Sequence, residues 1–194
     1  MIKLKDILLE AKSPSIFVPR RTDDRVERMI KSYIRNGSDG YLDLSDMNLD
    51  KIPEILKGIT LDGGLNVSVN PKIKTLENSP RKIMGNFRCH STGISDFVGG
   101  PEYVGRGMFC YHCPKFKSFV GSPKYIGPGG FTVVVGHTLD SIDGIPEVIE
   151  GDFNIFASSV NFTEQDIRKI CEVKEKVSIF ERSKGWPKNF LKKV

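Results

Sequence analysis

The chain has 194 residues, of which 39% are hydrophobic and 27% are charged, a balance typical of an ordinary globular domain. The formal net charge is +5, but the excess of cations over anions lies towards the two ends, and residues 37–181 carry a net charge of −4. This distribution excludes a basic groove along the middle of the chain that reads nucleic acid. No apolar run approaches the ~18 residues typical of a membrane-spanning helix, so no membrane partner is expected.

Residues 1–12 are predicted to form an amphipathic N-terminal peptide. Their apolar side chains approximate one helical face: Ile2, Leu4, Ile7, Leu8 and Ala11. Charged residues interrupt the apolar stretch and no export-type cleavage site follows, so neither a secretory signal nor a membrane anchor is expected. Residues 13–21, with Pro14 and Pro19, are predicted to be an extended linker.

The end of this peptide carries a recognisable triplet. Leu8-Leu9-Glu10 is followed by the small residue Ala11. This arrangement resembles the capsid-targeting peptides of internal head proteins in large contractile-tailed phages, which the head-maturation protease cleaves after the glutamate. The resemblance implies cleavage between Glu10 and Ala11, with Leu8 as part of the recognised triplet. It also implies a protein that is packaged in the phage head and then delivered into the host cytoplasm.

Residues 22–37 are predicted to form a helix. Thr22 is a suitable N-cap, and Gly37 is a suitable terminator. The apolar positions follow an i, i+3, i+4, i+7, i+8 stripe: Val26, Met29, Ile30, Tyr33 and Ile34. Because the helix directly precedes a repeat array, we expect it to cover the exposed end of the array's core.

A 22-residue repeat dominates the middle of the chain. Gly85 and Gly107 head two copies whose apolar residues fall at the same offsets. Four further units begin at Gly40, Gly64, Gly130 and Gly151. Successive glycines are 24, 21, 22, 23 and 21 residues apart. Because no single unit can bury its apolar edge, the repeat predicts an α+β fold: a short-strand solenoid of about six units over residues 38–162, capped by a helix at each end.

Each unit has the pattern of a short strand followed by a turn and a return segment. Alternation such as Phe87/Cys89 predicts a strand with one buried face. In the units of Gly64 and Gly130 the alternation is shifted by one residue, and the preceding glycine is expected to absorb the shift. With these two offsets, the pattern predicts that Phe87, Phe109 and Phe153 align in one buried column.

The other side of the predicted strands supplies a candidate partner-binding surface. Its outward side chains are predicted to be Asn86, Arg88, His90, Met108, Cys110, His112, Asp152 and Asn154. The units also resemble the degenerate leucine-rich-type repeats of phage and bacterial proteins, although the consensus asparagine is missing from most of them. That resemblance implies a leucine-rich-repeat-like solenoid that binds proteins.

The four cysteines invite two interpretations. With no secretory leader, free thiols that behave as small buried apolar groups are expected. His90 and His112 are predicted to be adjacent on neighbouring strands with Cys113 nearby, which makes a zinc site conceivable. However, the spacing matches no standard structural zinc pattern, and a ladder of stacked polar side chains is favoured. Neither a metal nor a cofactor is therefore predicted.

Residues 163–194 are predicted to form a C-terminal capping helix and a basic tail. Thr163 is the predicted N-cap of this helix. The tail interleaves cations with an aromatic residue: Arg182, Lys184, Trp186, Lys188, Lys192 and Lys193. Such residues can contact phosphates and stack on bases, which allows non-specific DNA binding. The alternative is a solvated tail whose aromatic residues fold back on the capping helix.

No catalytic motif emerges from the sequence. The glycines keep the repeat spacing and are not followed by the Lys-Ser/Thr of a phosphate-binding loop, and no nucleophile elbow or small-molecule site is found. A non-enzymatic role is therefore expected, and the resemblances described above imply a protein-binding phage head protein whose partner is a host protein or a head component. A DNA-associated head protein that acts through its basic ends, and an enzyme with a site in the terminal regions, remain the alternatives.

Overall fold

The computed structural model describes residues 21–182. The predicted peptide at 1–12 and nearly all of the linker at 13–21 lie outside the described residues. Within residues 21–182, no helix is long and apolar enough to cross a lipid bilayer.

The described chain winds into a parallel β-solenoid of about six coils. Each coil contributes one strand to each of two parallel sheets. Sheet A has seven strands: β1 (Tyr41–Asp43), β3 (Gly64–Asn66), β5 (Phe87–Arg88), β7 (Gly107–Tyr111), β9 (Gly130–Val134), β11 (Phe153–Ala157) and β13 (Val177–Glu181). Sheet B has six: β2 (Thr60–Leu61), β4 (Lys82–Ile83), β6 (Tyr103–Val104), β8 (Tyr125–Ile126), β10 (Val148–Ile149) and β12 (Glu172–Val173). The short-strand solenoid is thus confirmed, and the predicted return segments supply a second sheet.

The core consists of columns of side chains that run from coil to coil. One inward column of sheet A contains Leu42, Leu65, Phe87, Met108, Phe131, Phe153 and Val177. The rings of Phe131 and Phe153 stack in parallel with their centroids 5.2 Å apart. The inward column of sheet B is aliphatic: Leu61, Ile83, Val104, Ile126, Ile149 and Val173. Stacking in register therefore buries the apolar side chains of each coil, which a single coil could not bury by itself.

The predicted register is right for two units and wrong for a third. Leu65 pairs with Phe87, as the expected one-residue shift at Gly64 requires, and Phe131 pairs with Phe153. The unit of Gly107 has the same shift, because Phe87 pairs with Met108 rather than with Phe109. Phe109 therefore lies outside the buried column. In this unit both alternating sets are apolar enough to be buried, so the pattern alone could not decide between them.

A left-handed turn recurs after the sheet A strands of the first four coils. Asp46, Val69, Ser91 and His112 have φ values of 54°, 57°, 53° and 52°. The turn directs the following side chain inward in three coils, where Asn70, Thr92 and Cys113 are buried. The amide of Asn70 donates to the carbonyls of Leu44, Val67 and Ser68, and its oxygen accepts from the N–H of Leu49. Polar side chains that follow this turn therefore form hydrogen bonds with backbone groups inside the core.

The first helix matches its predicted range closely, although it begins at Arg21, so the predicted N-cap Thr22 lies within it. Helix α1 (Arg21–Arg35) places Val26 and Ile30 in the core, and Gly37 follows with φ 97°. Because a positive φ suits glycine, the chain can turn there towards the first strand. The hydroxyl of Tyr33 also donates to the carbonyls of Ser38 and Gly40. These contacts join α1 to the start of the first coil.

The second helix is not at the end of the array. Helix α2 (Glu164–Ile170) begins, as predicted, after the N-cap Thr163, whose side chain exchanges hydrogen bonds with Asp166. It buries Ile167, while Ile170 is exposed. The chain then continues into β12 and β13, which pair with β10 and β11. The predicted end of the solenoid at residue 162, followed by a capping helix, is therefore wrong: α2 forms part of the sixth coil.

Candidate functional site

The outward side of sheet A carries a cluster of aromatic and basic side chains between the first and the fourth coil. We call it the aromatic face; its members are Tyr41, Arg88, His90, Phe109 and Tyr111. Tyr41 and Arg88 are exposed, and the other three are half-buried. The strand alternation explains their direction, because Leu42, Phe87, Met108 and Cys110, their neighbours in sequence, point into the core.

Two glycines allow the rings of this face to lie against the sheet. A Cβ atom on Gly64 would be 2.4 Å from ring carbons of Tyr41. A Cβ atom on Gly107 would be 2.8 Å from Cζ of Phe109. Both separations are far below a van der Waals contact, so any side chain at either position would displace the ring. The two rings therefore owe their position to the absence of a side chain beneath them.

Arg88 lies between these two rings. Its Cζ atom is 5.7 Å from the ring centroid of Tyr41 and 5.9 Å from that of Phe109. Both distances are within the range of cation–π attraction. Arg88 forms no ion pair with another residue of the described range 21–182. Its guanidinium is thus held in place by rings, while the donor groups of an arginine fork are not occupied by a carboxylate.

His90 and Tyr111 extend the face along the strands. Their rings are stacked, with centroids 6.1 Å apart and an interplanar angle of 21°. Burial, and then the charge of Arg88, lowers the pKa of His90, so this imidazole is neutral at neutral pH. Burial raises the pKa of Tyr111 to about 12, so its phenol stays protonated. Arg88 therefore supplies the positive charge of a largely apolar surface. Asp43 carries a negative charge at the edge of this surface, and Arg88 contributes to the lowered pKa of its carboxyl group, although the two residues form no salt bridge.

The outward side chains predicted from sequence have mixed positions. Arg88 and His90 belong to the aromatic face, and Asn154 is half-buried on the same side of sheet A. The side-chain oxygens of Asn86 and Asp152 accept the N–H groups of Gly107 and Lys176, so they help to join neighbouring coils.

The other predicted outward residues do not belong to this face. Met108 and Cys110 are fully buried, so their prediction is wrong, for the register reason given above. His112 is exposed, but in the left-handed turn beyond β7. Tyr41, Phe109 and Tyr111 were missed; a shift of the Gly107 unit, like that of the Gly130 unit, would have identified the last two.

His90 lies beside Tyr111 and not in register with His112, although His112 is close enough to contribute to the lowered pKa of His90. All four cysteines are free and buried. In the described part of the chain, no three His, Cys, Asp or Glu side chains are placed to hold a metal ion.

Sheet B presents a second aromatic pair on its own outward side. The rings of Tyr103 and Tyr125 stack with centroids 4.7 Å apart and an interplanar angle of 4°. Lys82 Nζ lies 6.0 Å from the ring centroid of Tyr103. At the ends of neighbouring strands, Lys174 pairs with Glu150 at 2.7 Å. This surface has a composition similar to that of the aromatic face and serves below as its control.

The predicted terminal sites fall almost wholly outside residues 21–182. Arg182 is described and is exposed. The cleavage residues Leu8, Glu10 and Ala11, and the tail residues Lys184, Trp186, Lys188, Lys192 and Lys193, lie outside the described residues.

Comparisons with protein-family profiles, with curated proteins and with solved structures found no match to this chain.

Proposed function

We propose that this protein is a non-enzymatic scaffold that binds a partner protein through the aromatic face of sheet A. The observation that carries the proposal is the position of Arg88, between the rings of Tyr41 and Phe109 and without a carboxylate partner in the described range. Arginine and tyrosine are enriched among the residues that dominate binding energy at protein interfaces. Aromatic residues and arginine are likewise enriched in interfaces as a whole.

The chemistry of the face suggests what the partner presents. A carboxylate, or a pair of backbone carbonyls, would accept from the guanidinium of Arg88. Apolar side chains around that acceptor would cover Phe109 and Tyr111 and exclude water from the ion pair. We therefore propose a partner with an acidic residue surrounded by apolar ones, on a host protein or on a component of the phage head.

Affinity capture with matched variants tests this proposal. The bait is the full chain, exposed to nuclease-treated host lysate at low and at moderate salt. One variant changes the aromatic face by Arg88→Glu with Phe109→Ala, and the control changes sheet B by Tyr103→Ala with Tyr125→Ala. We expect a protein that the wild type and the control retain and that the first variant loses. Equal capture by both variants, or none by the wild type, would contradict the proposal.

We also propose that the protein is packaged in a phage head and delivered into the host cytoplasm. The support is the resemblance of Leu8-Leu9-Glu10-Ala11 to capsid-targeting peptides. Intact-mass measurement on protein from purified particles is expected to give a chain that begins at Ala11. Full-length protein in the particles would contradict cleavage after Glu10.

We further propose that the solenoid is leucine-rich-repeat-like and that α1 acts as its N-terminal cap. The spacing of Leu65, Val67 and Asn70, together with the backbone hydrogen bonds of that asparagine, supports the first point. The burial of Val26 and Ile30 in the common core supports the second. If α1 is a cap, Ile30→Asp is expected to produce aggregation through the uncovered first coil, as measured by light scattering. An equally monodisperse variant would contradict this.

A further inference from the structure

Three thiols meet inside the solenoid between the third and fourth coils. Cys110 and Cys113 belong to a Cys-x-x-Cys sequence, and the intervening left-handed turn at His112 brings their sulfurs to 3.4 Å. The backbone carbonyl of Cys89, in the coil below, accepts a hydrogen bond from the Cys113 thiol at 3.4 Å. Since the two sulfurs already touch, a disulfide between Cys110 and Cys113 requires only a small local movement.

The surroundings of the pair distinguish the two sulfurs. The Cys110 thiol donates to Cys113 Sγ, and the hydroxyl of Thr92 lies 3.4 Å from the same atom. The hydrogen bond from Cys110 is the main cause that lowers the pKa of Cys113 to about 7. The pKa of Cys110 is raised well above its usual value, chiefly by its hydrogen bonds with Cys113 and Cys89. Cys113 is therefore suited to be the attacking thiolate, and Cys110 the thiol that resolves the product.

A groove on the surface lies against this pair. It is lined by His112, Cys113, Pro114, Gly136 and His137, and its volume is about 480 Å³. Cys113 itself is fully buried, so an oxidant reaches its sulfur only when the groove opens locally. Hydrogen peroxide, which is little larger than water, needs a smaller opening than a peptide-sized disulfide does.

We propose that Cys110 and Cys113 form a peroxide-oxidisable dithiol, which closes to an intramolecular disulfide inside the solenoid. In the first step the Cys113 thiolate attacks one oxygen of hydrogen peroxide; the S–O bond forms, the O–O bond breaks, and hydroxide leaves. In the second step the sulfur of Cys110 attacks Cys113 Sγ, loses its proton, and displaces a second hydroxide. Two thiols and one peroxide thus give one disulfide and two waters. This redox site goes beyond the proposed binding function and does not depend on it.

Peptide mapping of the wild-type protein tests the site directly. Trypsin is expected to cut after Arg106 and Lys115, so both cysteines fall in peptide 107–115, whereas Cys89 falls in 89–106 and Cys171 in 170–174. The full chain is reduced, freed of reductant and treated with hydrogen peroxide, and catalase stops the reaction. Remaining thiols are then alkylated in denaturant. We expect peptide 107–115 to lose two hydrogen atoms and to escape alkylation.

The buried Cys171, whose pKa burial raises to about 11, is the internal control. We expect peptide 107–115 to react at least about tenfold faster than Cys171, because the thiolate is the reactive form. Its rate should rise as pH increases through about 7, the pKa of Cys113. Full alkylation of both cysteines, a rate equal to that of Cys171, or a disulfide that joins peptides 89–106 and 107–115 would overturn the proposal.

Variants assign the order of attack. In Cys110→Ser, the sulfenic acid on Cys113 should persist and be trapped by dimedone. In Cys113→Ser, dimedone should label Cys110 no faster than Cys171, and Cys171→Ser should leave the oxidation of peptide 107–115 unchanged. Trapping at Cys110 instead of Cys113 would overturn the assignment. The wild-type mapping decides the existence of the disulfide even if a variant does not fold.

Discussion

The outward sides of the two sheets contain similar residue types but use them differently. On sheet B four charged residues form salt bridges: Lys174 pairs with Glu150, and Lys124 with Glu147 at 3.5 Å, whereas Lys82 lies near the ring of Tyr103. The tyrosines of that side stack on one another. On sheet A, Arg88 has rings on two sides and no carboxylate partner in the described range. Residue composition alone would not separate the two surfaces, whereas the pairing of their polar groups does.

The largest expected effect concerns the core beneath the two surfaces. Sheet A packs aromatic rings, and Phe131 contacts Phe97, Phe119 and Phe153. Phe131→Ala should lower the free energy of unfolding by about 3–5 kcal/mol, because it removes a ring and leaves a cavity. On sheet B, Ile126→Val should cost about 0.5–1.5 kcal/mol. Urea titrations measure both free energies of unfolding. Equal losses would show that the aromatic column does not contribute more to stability than the aliphatic column of sheet B.

The second effect compares the surfaces themselves, once a partner has been captured. Arg88→Glu should weaken binding about thirtyfold, since interface hot spots contribute about 2 kcal/mol or more and 1.4 kcal/mol corresponds to a factor of ten. Lys82→Glu makes the same charge change on sheet B and should leave the affinity unchanged. Calorimetry with the purified partner measures the two dissociation constants. Similar losses would indicate a general charge effect rather than a docking surface.

The third effect compares two turns of a coil: the one that follows the sheet A strand and the one that precedes the sheet B strand. Asn70 satisfies four backbone groups at the turn after sheet A. Asn70→Ala should therefore destabilise the fold by about 1–3 kcal/mol, because buried groups lose their partners. Ser79, before sheet B, donates to the carbonyl of Leu76 at 2.7 Å, and Ser79→Ala should cost about 0.5–1.5 kcal/mol. Thermal unfolding checks the order, and a larger loss at Ser79 would reverse the comparison.

The fourth effect is a pH dependence. The pKa of Tyr111 is raised by burial to about 12 from an ordinary value of about 10, so the folded state retains the phenol proton more tightly. The resulting stability is complete below pH ~10 and is lost as the pH rises towards 12. Tyr111→Phe should therefore lose less stability over this interval than the wild type. Identical declines in the two proteins would refute the effect.

The sequence predicted the repeat and most of its register because glycine and inward apolar residues recur together. It failed where both alternating sets are apolar. In the unit of Gly107, Met108 and Cys110 compete with Phe109 and Tyr111, and the pairing with Phe87 and Phe131 decides which set is buried. The aromatic face was therefore predicted with some of the wrong residues, although Arg88 and His90 were among those proposed.

The second sheet and the last coil could not be predicted for other reasons. Strands of two residues, such as Tyr103–Val104, contain a single inward side chain and therefore show no alternation. In the sixth coil, α2 replaces the usual turn and no glycine lies just before Val177, so the residue that marks the start of the other units is missing although the 24-residue interval from Phe153 is ordinary. Both features depend on contacts with a neighbouring coil, which no local pattern contains.

The in-register pairing of each coil with its two neighbours has a consequence for how the molecule opens. A coil in the middle separates only by breaking two interfaces, whereas one at an end breaks a single interface. Amide hydrogens of β7 and β9 should accordingly exchange with deuterium more slowly than those of β1. The proposed docking surface then spans a gradient of local stability, with Phe109 and Tyr111 in the more stable middle of the array and Tyr41 in its first coil, which opens more easily.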